Sequence, residues 1–360
     1  MPQRIAIVRS LPGLGDFLCA VPAFRALRSA LPDAHITLIG LPQASSWVHR
    51  FSHYLDEWLE FPGWVGIPEV PCLPQRSVTF LAHAQSLQFD LALQMHGNGS
   101  AINSFALLLG AAQTAGFFPA GHYCPHPDRF LPYPEDEPEI WRHLRLLEFL
   151  GIPAQGDQLE FPIWQSDWDE LEAIASKRLL TRGDYVCIHP GASTGDRRWS
   201  PQHFAAVADA LAAEGLQIVL TGTEAEANIT QAVAEAMQFP AVDLTGQTSL
   251  GAIAALLKRA RLLICNDTGI SHLAAALRVK SIVIFSNSDP QRWAPLDRQR
   301  HRAIGITSPT HQSNDMLRWW SGETESVAVV MQDSTQQSLT SEDVVTEAID
   351  LLQQEFAYVS

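Results

Sequence analysis

Residues 185–222, YVCIHPGASTGDRRWSPQHFAAVADALAAEGLQIVLTG, contain a complete strand, loop, helix and strand pattern. The apolar run YVCIH predicts a strand, and PGASTGDRRW predicts a glycine-containing loop. Ser200 and Pro201 predict the N-cap and the first position of a helix, and Gly215 predicts its end before the strand LQIVLTG. The stretch therefore predicts one unit of a parallel, doubly wound α/β sheet.

The first half of the chain contains the same pattern. IAIV at residues 5–8 predicts a strand, RSLPGLGD a loop, and FLCAVPAFRALRSAL an amphipathic helix before the strand HITLIG. Predicted strands begin at residues 5 and 35 in this copy and at 185 and 216 in the second copy. Parallel crossovers place their loops at the carboxyl ends of the strands. The two copies therefore predict an α/β protein with two Rossmann-like, doubly wound domains that face each other across a cleft.

The boundary between the two domains is expected at the Pro- and Gly-rich stretch GIPAQGDQLEFPIWQSD, residues 151–167. We therefore predict one domain at residues 1–165 and a second at residues 166–335. Residues 336–360 contain an amphipathic pattern that begins with a capping-box spacing at Thr340. This segment predicts a C-terminal helix that packs back on the body of the protein.

The composition limits the classes of partner. The chain has 360 residues and a net charge of −15, so general attraction to nucleic acid or to an anionic membrane is not expected. No stretch is apolar for long enough to cross a bilayer, and the N-terminus does not have the pattern of a signal peptide. Five cysteines without a CxxC pair suit a reducing compartment. These observations predict a soluble, cytoplasmic protein that holds anionic ligands by local chemistry.

One group of potential metal ligands occurs in GHYCPHPD, which contains His122, Cys124, His126 and Asp128. Ligands two residues apart can line one face of an extended segment. The intervening prolines and the lack of a second ligand group disfavour a tetrahedral site. We therefore predict a polar connecting loop and no metal site.

The stretch LLICNDTGISHLAAAL, residues 262–277, places polar residues between an apolar strand and an alanine-rich helix. The first amides of that helix have no intrahelical partner, and together with the helix dipole they form a site for an anion. Gly269 allows a phosphate to approach the backbone, and Thr268 and Ser271 can add hydroxyl donors. His272 lies in the first turn and can donate to a phosphate or to a sugar hydroxyl.

Asp267 has a different expected role, since a carboxylate beside a diphosphate is repulsive. It is expected to brace the loop or to accept hydrogen bonds from sugar hydroxyls. The alternative is that Asp267 or Thr268 only caps the helix and that His272 fills a semi-buried gap. The sequence leaves both interpretations open.

The loop PGASTGDRRW supplies the cation that an anion site needs. Arg197 or Arg198 can form charge-assisted hydrogen bonds with a diphosphate, and Ser193 and Thr194 can add neutral donors. The alternative is that the two arginines are ordinary surface residues that contact only solvent. The position directly after a strand that ends in His-Pro-Gly favours the binding role.

An acidic residue follows the next strand of the second domain. Glu226 stands four residues after Gly222, where a dinucleotide-type fold holds the ribose hydroxyls. Glu224 is the rival for that position. The alternative is that either glutamate only stabilises the N-terminus of the following helix by its negative charge.

The loop PGLGDF of the first domain matches neither the GxGxxG nor the P-loop fingerprint. Gly13 and Gly15 instead shape a turn that presents Asp16 at the start of a helix. Asp16 is either the N-cap of this helix or a general base for an incoming hydroxyl.

With these residues assembled, the chain resembles glycosyltransferase family 9, the lipopolysaccharide heptosyltransferases, which have the two-Rossmann-domain GT-B fold. The resemblance rests on GLGDFLCAVPAFRAL, QMHGNGSAINSFALLLGA, IHPGASTGDRRWSPQHFAAVADAL, the G-x-x-x-E of residues 222–226, and NDTGISHLAAAL. It covers most of the chain, and NDTGISHLAAAL after a strand is its most specific part.

The resemblance implies an enzyme that moves a heptose from an ADP-sugar, ADP-L-glycero-D-manno-heptose, to a hydroxyl of a lipopolysaccharide core or similar glycan, with inversion. The donor would bind the second domain and the acceptor the first. Asp16 would be the general base, and Arg197 stands where the family commonly has a lysine that neutralises the phosphates. Glu226 would hold ribose, and the phosphate and sugar subsite would contain Asp267, Thr268, Gly269 and His272. No cofactor and no metal are expected if the helix terminus and Arg197 absorb the leaving charge.

Two other functions stay open at this point. A sugar-nucleotide epimerase with the GT-B fold would share the donor pocket and need no acceptor. A non-catalytic protein that binds nucleotide sugars would retain the pocket without transfer.

The acceptor site is less defined. The helix pattern IWRHLRLLEFL, residues 140–150, offers Arg142, His143 and Arg145 for at most a peripheral contact at the inner face of the inner membrane. The alternative is a surface helix that packs on the first domain. The stretch HQSNDMLRWWSGET, residues 311–324, has no assigned role.

Overall fold

The structure, a computed structural model, describes residues 3–178, 180, 183–305 and 339–354. The chain divides into two compact units, Met1–Pro162 and Ile163–Ser360. Among the described residues, each unit contains one six-stranded sheet. Every strand pair in both sheets is parallel. The expected α/β class with two doubly wound sheets is therefore confirmed.

The first unit alternates strands and helices along the chain. Its strands are β1 (Arg4–Val8), β2 (His35–Gly40), β3 (Glu57–Glu60), β4 (Leu91–Gln94), β5 (Gln113–Phe118) and β6 (Phe130–Pro132). Its helices are α1 (Leu14–Ala30), α2 (Ala44–Arg50), α3 (Pro74–Ser86), α4 (Asn103–Leu108) and α5 (Glu139–Phe149). The strand order in the sheet is β3-β2-β1-β4-β5-β6.

The second unit repeats this arrangement. Its strands are β7 (Tyr185–His189), β8 (Gln217–Leu220), β9 (Ala241–Asp243), β10 (Leu262–Asn266), β11 (Ser281–Phe285) and β12 (His301–Gly305). Its helices are α6 (Gln165–Arg178), α7 (Pro201–Ala213), α8 (Ala227–Ala236), α9 (Leu250–Arg259), α10 (Gly269–Ala276), α11 (Pro290–Trp293) and α12 (Ser341–Gln353). The order β9-β8-β7-β10-β11-β12 is that of the first unit.

The central strands are apolar along their whole length because helices cover both faces of a parallel sheet. In β1 the IAIV run is fully buried, and in β10 the LLIC run is fully buried. Cys187 and Cys265 lie within β7 and β10 and have no exposed surface, so both are small core residues. The continuous apolar pattern thus places both strands at the centre of their sheets.

Local signals define the helix ends that frame the loops. The Ser200 hydroxyl accepts a hydrogen bond from the amide of Gln202 at 3.3 Å, and Pro201 is the first residue of α7, as predicted. The capping box at Thr340 is also present, with Asp343 as its partner, at the start of α12. On α12, Val344, one of the fully buried residues, packs in the core of the second unit.

Within the described part of the chain, no helix is both long enough and apolar enough to cross a membrane.

Candidate functional site

The polar loops of each unit lie where the strand order reverses. This point lies between β1 and β4 in the first unit and between β7 and β10 in the second. Loops at the carboxyl ends of such strands are the usual ligand sites of open parallel sheets. Residues 9–16 follow β1, residues 190–200 follow β7, and residues 267–269 follow β10. Each unit therefore brings its predicted residues to the expected edge of its own sheet.

Asp267 and Arg197 form an ion pair at this edge of the second sheet. Asp267 follows β10 and is 3% exposed. Nη1 of Arg197 lies 3.6 Å from its Oδ2 atom, and the arginine side chain is 35% exposed. Among the described residues, this Oδ2 atom accepts no hydrogen bond. The partly exposed Arg197 thus covers a buried carboxylate oxygen of Asp267 that can still accept a hydrogen bond.

The two neighbouring arginines have different roles. Nε and Nη2 of Arg198 donate to the carbonyl of Ala192 at 3.0 and 2.8 Å, which braces the loop on itself. Arg197 instead meets Asp267. Of the two alternatives that the sequence left open, the contacts favour Arg197 as the residue available to a ligand.

Asn266, to which the sequence assigned no role, holds this loop. Its Oδ1 accepts from the amide of Trp199 at 3.0 Å, and its Nδ2 donates to the carbonyl of Pro190 at 2.8 Å. The side chain therefore ties both ends of the β7–α7 loop to the end of β10. The only sequence signal was a polar residue at the end of an otherwise apolar strand.

The first turn of α10 begins at Gly269, with Thr268 at the N-cap position. Within the described residues, the Thr268 side chain makes no capping hydrogen bond. The hydroxyl and the amide of Ser271 donate to the carbonyl of Thr268 at 2.8 and 3.0 Å. The expectation that Ser271 adds a ligand donor is therefore wrong, because its buried hydroxyl is committed to the turn. Thr268 and Gly269 are half-buried and border the helix terminus.

His272 lies in the first turn of α10 and is 4% exposed. Its ring meets the ring of Trp293 edge-on, with the centroids 6.2 Å apart. This packing agrees with the alternative interpretation, in which His272 fills a gap, although the residue is buried and not semi-buried. A binding role for His272 stays a proposal.

Glu226 is the acidic residue that faces the strand ends. Its Oε2 accepts from the amide and the hydroxyl of Thr223, both at 2.8 Å, and lies 3.8 Å from Nε2 of His189. A Cβ atom at Gly191 would overlap the Glu226 carboxylate, so only glycine fits beneath it. Glu224 is exposed. Glu226 therefore joins the ends of β7 and β8, and Glu224 does not.

His189, which the sequence analysis did not single out as a site residue, ends β7 and is buried. Burial lowers the pKa of its imidazole, although the nearby Glu226 carboxylate acts in the opposite direction. Its Nδ1 lies 3.1 Å from the hydroxyl of Thr221. His189 therefore packs beside Glu226 and has its hydrogen-bond partner in Thr221.

Ser193 and Thr194 are exposed and lead into a short 3₁₀ turn, Gly195–Arg197. Hydrogen bonds from Thr194 and from Asn287 hold the pKa of Asp196 below its usual value. Nδ2 of Asn287 donates to Oδ2 of Asp196 at 2.6 Å. The turn that carries Arg197 is thus connected to the loop after β11.

Asp16 in the first unit is the third residue of α1, and Gly13 is the N-cap. The interpretation of Asp16 as the N-cap is therefore wrong. Gly15 is a buried residue of the first turn. A Cβ atom at Gly13 would overlap the Asp16 carboxylate, so this glycine makes room for the acid. The Asp16 side chain is 25% exposed.

Arg9 is a residue of this site that sequence analysis missed. It directly follows β1, is 4% exposed, and donates from Nη1 to the carbonyl of Met95 at 2.6 Å. Its Nε and Nη2 donate to the carbonyl of Asp16 at 3.1 and 2.6 Å. Its Nη2 lies 3.9 Å from the Asp16 carboxylate and 3.6 Å from that of Glu139. The available signal was a charged residue immediately after the strand IAIV.

The expected docking role of α5 is wrong for two of its three residues. Arg142 and His143 are 1% and 2% exposed. Nη1 of Arg142 donates to the hydroxyl of Tyr133 at 2.8 Å and to Glu139 at 3.2 Å. Helix α5 packs on α1, which is the alternative that the sequence left open. Arg145 is 38% exposed and pairs with acidic neighbours of its own region.

Among the described residues, no group of three or more His, Cys, Asp or Glu side chains is arranged to hold a metal ion. His122 and Asp128 are exposed, and Cys124 and His126 are half-buried. The unexplained stretch 311–324 lies outside the described residues.

The model of glycosyltransferase family 9 (heptosyltransferase) matches residues 81–317. The chain is 29% identical over 174 residues to lipooligosaccharide heptosyltransferase 2 of Haemophilus ducreyi, a match that covers 44% of this chain and 50% of the relative. The chain thus spans about half the length of the curated relatives that it matches.

Two solved structures are similar over nearly the whole chain. One is a glycosyl transferase family 9 structure from Veillonella parvula, with a TM-score of 0.76, 21% identity and 97% coverage of both chains. The other is the ADP-heptose lipopolysaccharide heptosyltransferase II of E. coli, with a TM-score of 0.69, 19% identity, and coverage of 97% of this chain and 98% of that one. Likeness at this identity shows the fold, which is the expected GT-B fold.

Proposed function

The chain belongs to glycosyltransferase family 9, and on that premise we propose that it transfers a heptose from ADP-heptose to a hydroxyl of a lipopolysaccharide core or similar glycan. The nucleotide sugar binds the second unit, and the acceptor hydroxyl meets Asp16 of the first. Transfer proceeds with inversion, because the acceptor oxygen displaces the nucleoside diphosphate directly.

The observation that carries this proposal is the ion pair of Arg197 and Asp267 beside the start of α10. The unpaired amides of a helix terminus attract a diphosphate, and an arginine within reach adds charge-assisted hydrogen bonds. Arg197 is partly exposed and 3.6 Å from Asp267, so it can turn toward a phosphate without unfolding the loop. Asp267, with an oxygen that accepts no hydrogen bond among the described residues, then accepts from a sugar hydroxyl.

Glu226 is proposed to hold the ribose. Its carboxylate is fixed by two hydrogen bonds from Thr223, which follows β8, and lies over Gly191, which follows β7. Ser193 and Thr194 are proposed to add hydroxyl donors, and His272 to border the sugar. The donor-binding residues of the proposal are thus Ser193, Thr194, Glu226, Asp267, Thr268, Gly269 and His272, with Arg197.

Asp16 is proposed as the general base. It takes the proton of the acceptor hydroxyl as that oxygen attacks the anomeric carbon, and the bond from this carbon to the diphosphate breaks. Arg197 and the α10 terminus neutralise the leaving charge, so we propose that the reaction needs no divalent metal. We propose that the reaction takes place in the cytoplasm, with at most a peripheral contact of the protein at the inner face of the inner membrane.

The test begins with calorimetry of ADP, UDP and GDP, which we expect to rank ADP first. Asp16→Ala should lower turnover by about 10²–10⁴-fold with donor binding nearly intact. Arg197→Ala should weaken ADP binding and slow transfer. Arg178→Ala is the matched control, because it removes the same charge from an exposed position of the same unit. Full turnover by Asp16→Ala, or product formation from ADP-heptose without an acceptor, would refute the proposed transfer mechanism.

A further inference from the structure

The buried charges around Asp16 point to a second residue on which the proposed base depends. Arg9 contacts three parts of the first unit: the carbonyl of Met95 after β4, the carbonyl of Asp16 in α1, and the carboxylate of Glu139 in α5. We propose that Arg9 is a positioning residue that holds Asp16 in its catalytic place, with Glu139 as its second anchor. This inference rests on the proposed function, in which Asp16 is the base.

The hydrogen bonds of Arg9 fix the backbone of Asp16, whichever way its carboxylate turns. Two of the three donor atoms of the guanidinium converge on the Asp16 carbonyl, at 3.1 and 2.6 Å. The third donates across the strand-order reversal to Met95, at 2.6 Å. A planar fork with several fixed donors makes such a bridge, and a lysine ammonium cannot reproduce its geometry. The first turn of α1 is therefore fixed relative to two strand ends by one side chain.

Arg9 and Asp16 also interact through their charges, as part of a buried group that includes Arg142 and Glu139. The side chains of Arg9, Arg142 and Glu139 are each at most 3% exposed. Two cations and one anion at this depth leave one positive charge in excess, and buried charges without a partner are costly. The Asp16 carboxylate, 3.9 Å from Arg9, supplies the missing anion. Burial also lowers the pKa of His96 and of His143 to about 4, so these neighbours add no positive charge at neutral pH.

The hydrogen bonds and the charge of Arg9 therefore both act to hold Asp16 in place. Gly13 leaves space for the carboxylate, Arg9 holds the backbone beneath it, and Glu139 holds Arg9 from the side of α5. A base that must meet an acceptor hydroxyl loses rate steeply when it is displaced, by about 10²-fold for 1 Å. Loss of the Arg9 fork is expected to displace Asp16 without touching the donor residues of the second unit.

The test compares Arg9→Met, Arg9→Lys and Glu139→Gln with the wild type, using ADP release from ADP-heptose with an acceptor, calorimetry of ADP, and thermal unfolding. We expect Arg9→Met to lower kcat by about 10- to 100-fold with an unchanged Kd for ADP. Arg9→Lys retains the charge without the fork, so its kcat should lie between those of Arg9→Met and the wild type. Glu139→Gln should lower kcat less than Arg9→Met.

Arg28→Met is the matched control for a merely structural role. Arg28 stands at the other end of α1, donates to the carbonyls of Pro32, Ala34 and Tyr54, and pairs with Asp56. Its replacement should lower Tm with kcat unchanged. If folded Arg9→Met has the kcat of Arg28→Met, the inference is overturned.

Failure of this inference and failure of the proposed function give different results. The Arg9→Met and Asp16→Asn variants and their double variant form a thermodynamic cycle in Tm that needs no turnover. Non-additive Tm shifts support the proposed interaction between Arg9 and Asp16. Additive shifts together with an unchanged kcat for Arg9→Met refute the inference about Arg9 and leave the proposed function standing. Full turnover by Asp16→Asn refutes the base assignment, and with it the catalytic part of the inference.

Discussion

Gly191→Ala is expected to disable the ribose contact through a single methyl group. The new Cβ would overlap the Glu226 carboxylate, which can move away only by breaking its two hydrogen bonds from Thr223, both at 2.8 Å. Either the loop after β7 shifts or Glu226 turns out of its place. Both outcomes remove the proposed acceptor of the ribose hydroxyls.

The size of the effect follows from the bonds at stake. A hydrogen bond to a charged group contributes about 1.5–3 kcal/mol, so the loss of one such bond to ribose weakens ADP binding by about 10- to 150-fold. The displaced carboxylate also loses its bonds from Thr223, but it can reach water. We therefore expect only about 1–2 kcal/mol of lost stability in the second unit, a Tm decrease of about 2–8 °C.

The assay is calorimetry with ADP and with 2′-deoxy-ADP. The wild type should prefer ADP, and Gly191→Ala should lose most of this preference. Gly195→Ala is the control within the same loop, since an added Cβ there meets no atom within 4 Å. The reasoning is refuted if Gly191→Ala binds ADP like the wild type, or if Gly195→Ala weakens binding equally.

Three further predictions concern neighbouring features. Asp267→Asn should bind ADP more tightly in calorimetry, because it removes a repulsive carboxylate, but should transfer heptose more slowly; weaker ADP binding would contradict this reasoning. Ser200→Ala removes the cap of α7 and should cost about 1 kcal/mol in thermal unfolding, whereas an unchanged Tm would show that water replaces the cap. Burial lowers the pKa of His96 and His143 to about 4 and that of His301 to about 3, so below about pH 6.5 the unfolded chain binds protons that the folded chain does not. The Tm should therefore fall as the pH is lowered from about 6.5 to 4, and a constant or rising Tm would contradict the neutral burial of these residues.

The regular elements were predictable because their signals are local. A strand covered on both faces must be apolar throughout, as IAIV and LLIC are, and a helix start needs an amide acceptor such as Ser200. The polar residues that interrupt these patterns mark the loops of the site, and Asp16, Arg197, Glu226 and Asp267 all lie in or next to such loops. Position in a loop is therefore readable from the sequence.

The hydrogen-bond and ion-pair partners of the charged residues could not be predicted from the sequence. Arg142 and His143 fit a surface pattern, yet they are buried, because Glu139 and Tyr133 receive the arginine and α1 covers the helix face. Arg9 had the same appearance as any charged residue at a strand end. Composition and spacing do not report which distant group compensates a charge, and that group decides whether the charge can be buried.

The alternation of strands and helices, the glycine loops, the caps at Ser200 and Thr340 and the family resemblance followed from residues close together in the chain, whose burial pattern repeats locally. The ion pair of Arg197 with Asp267, the fit of Glu226 over Gly191 and the bridge from Arg9 to Met95 depend on strand ends that crossover connections bring together. The last of these contacts joins residues 86 positions apart. Coulomb energy and hydrogen bonding act over a few ångströms, so only the tertiary structure could decide which charges meet.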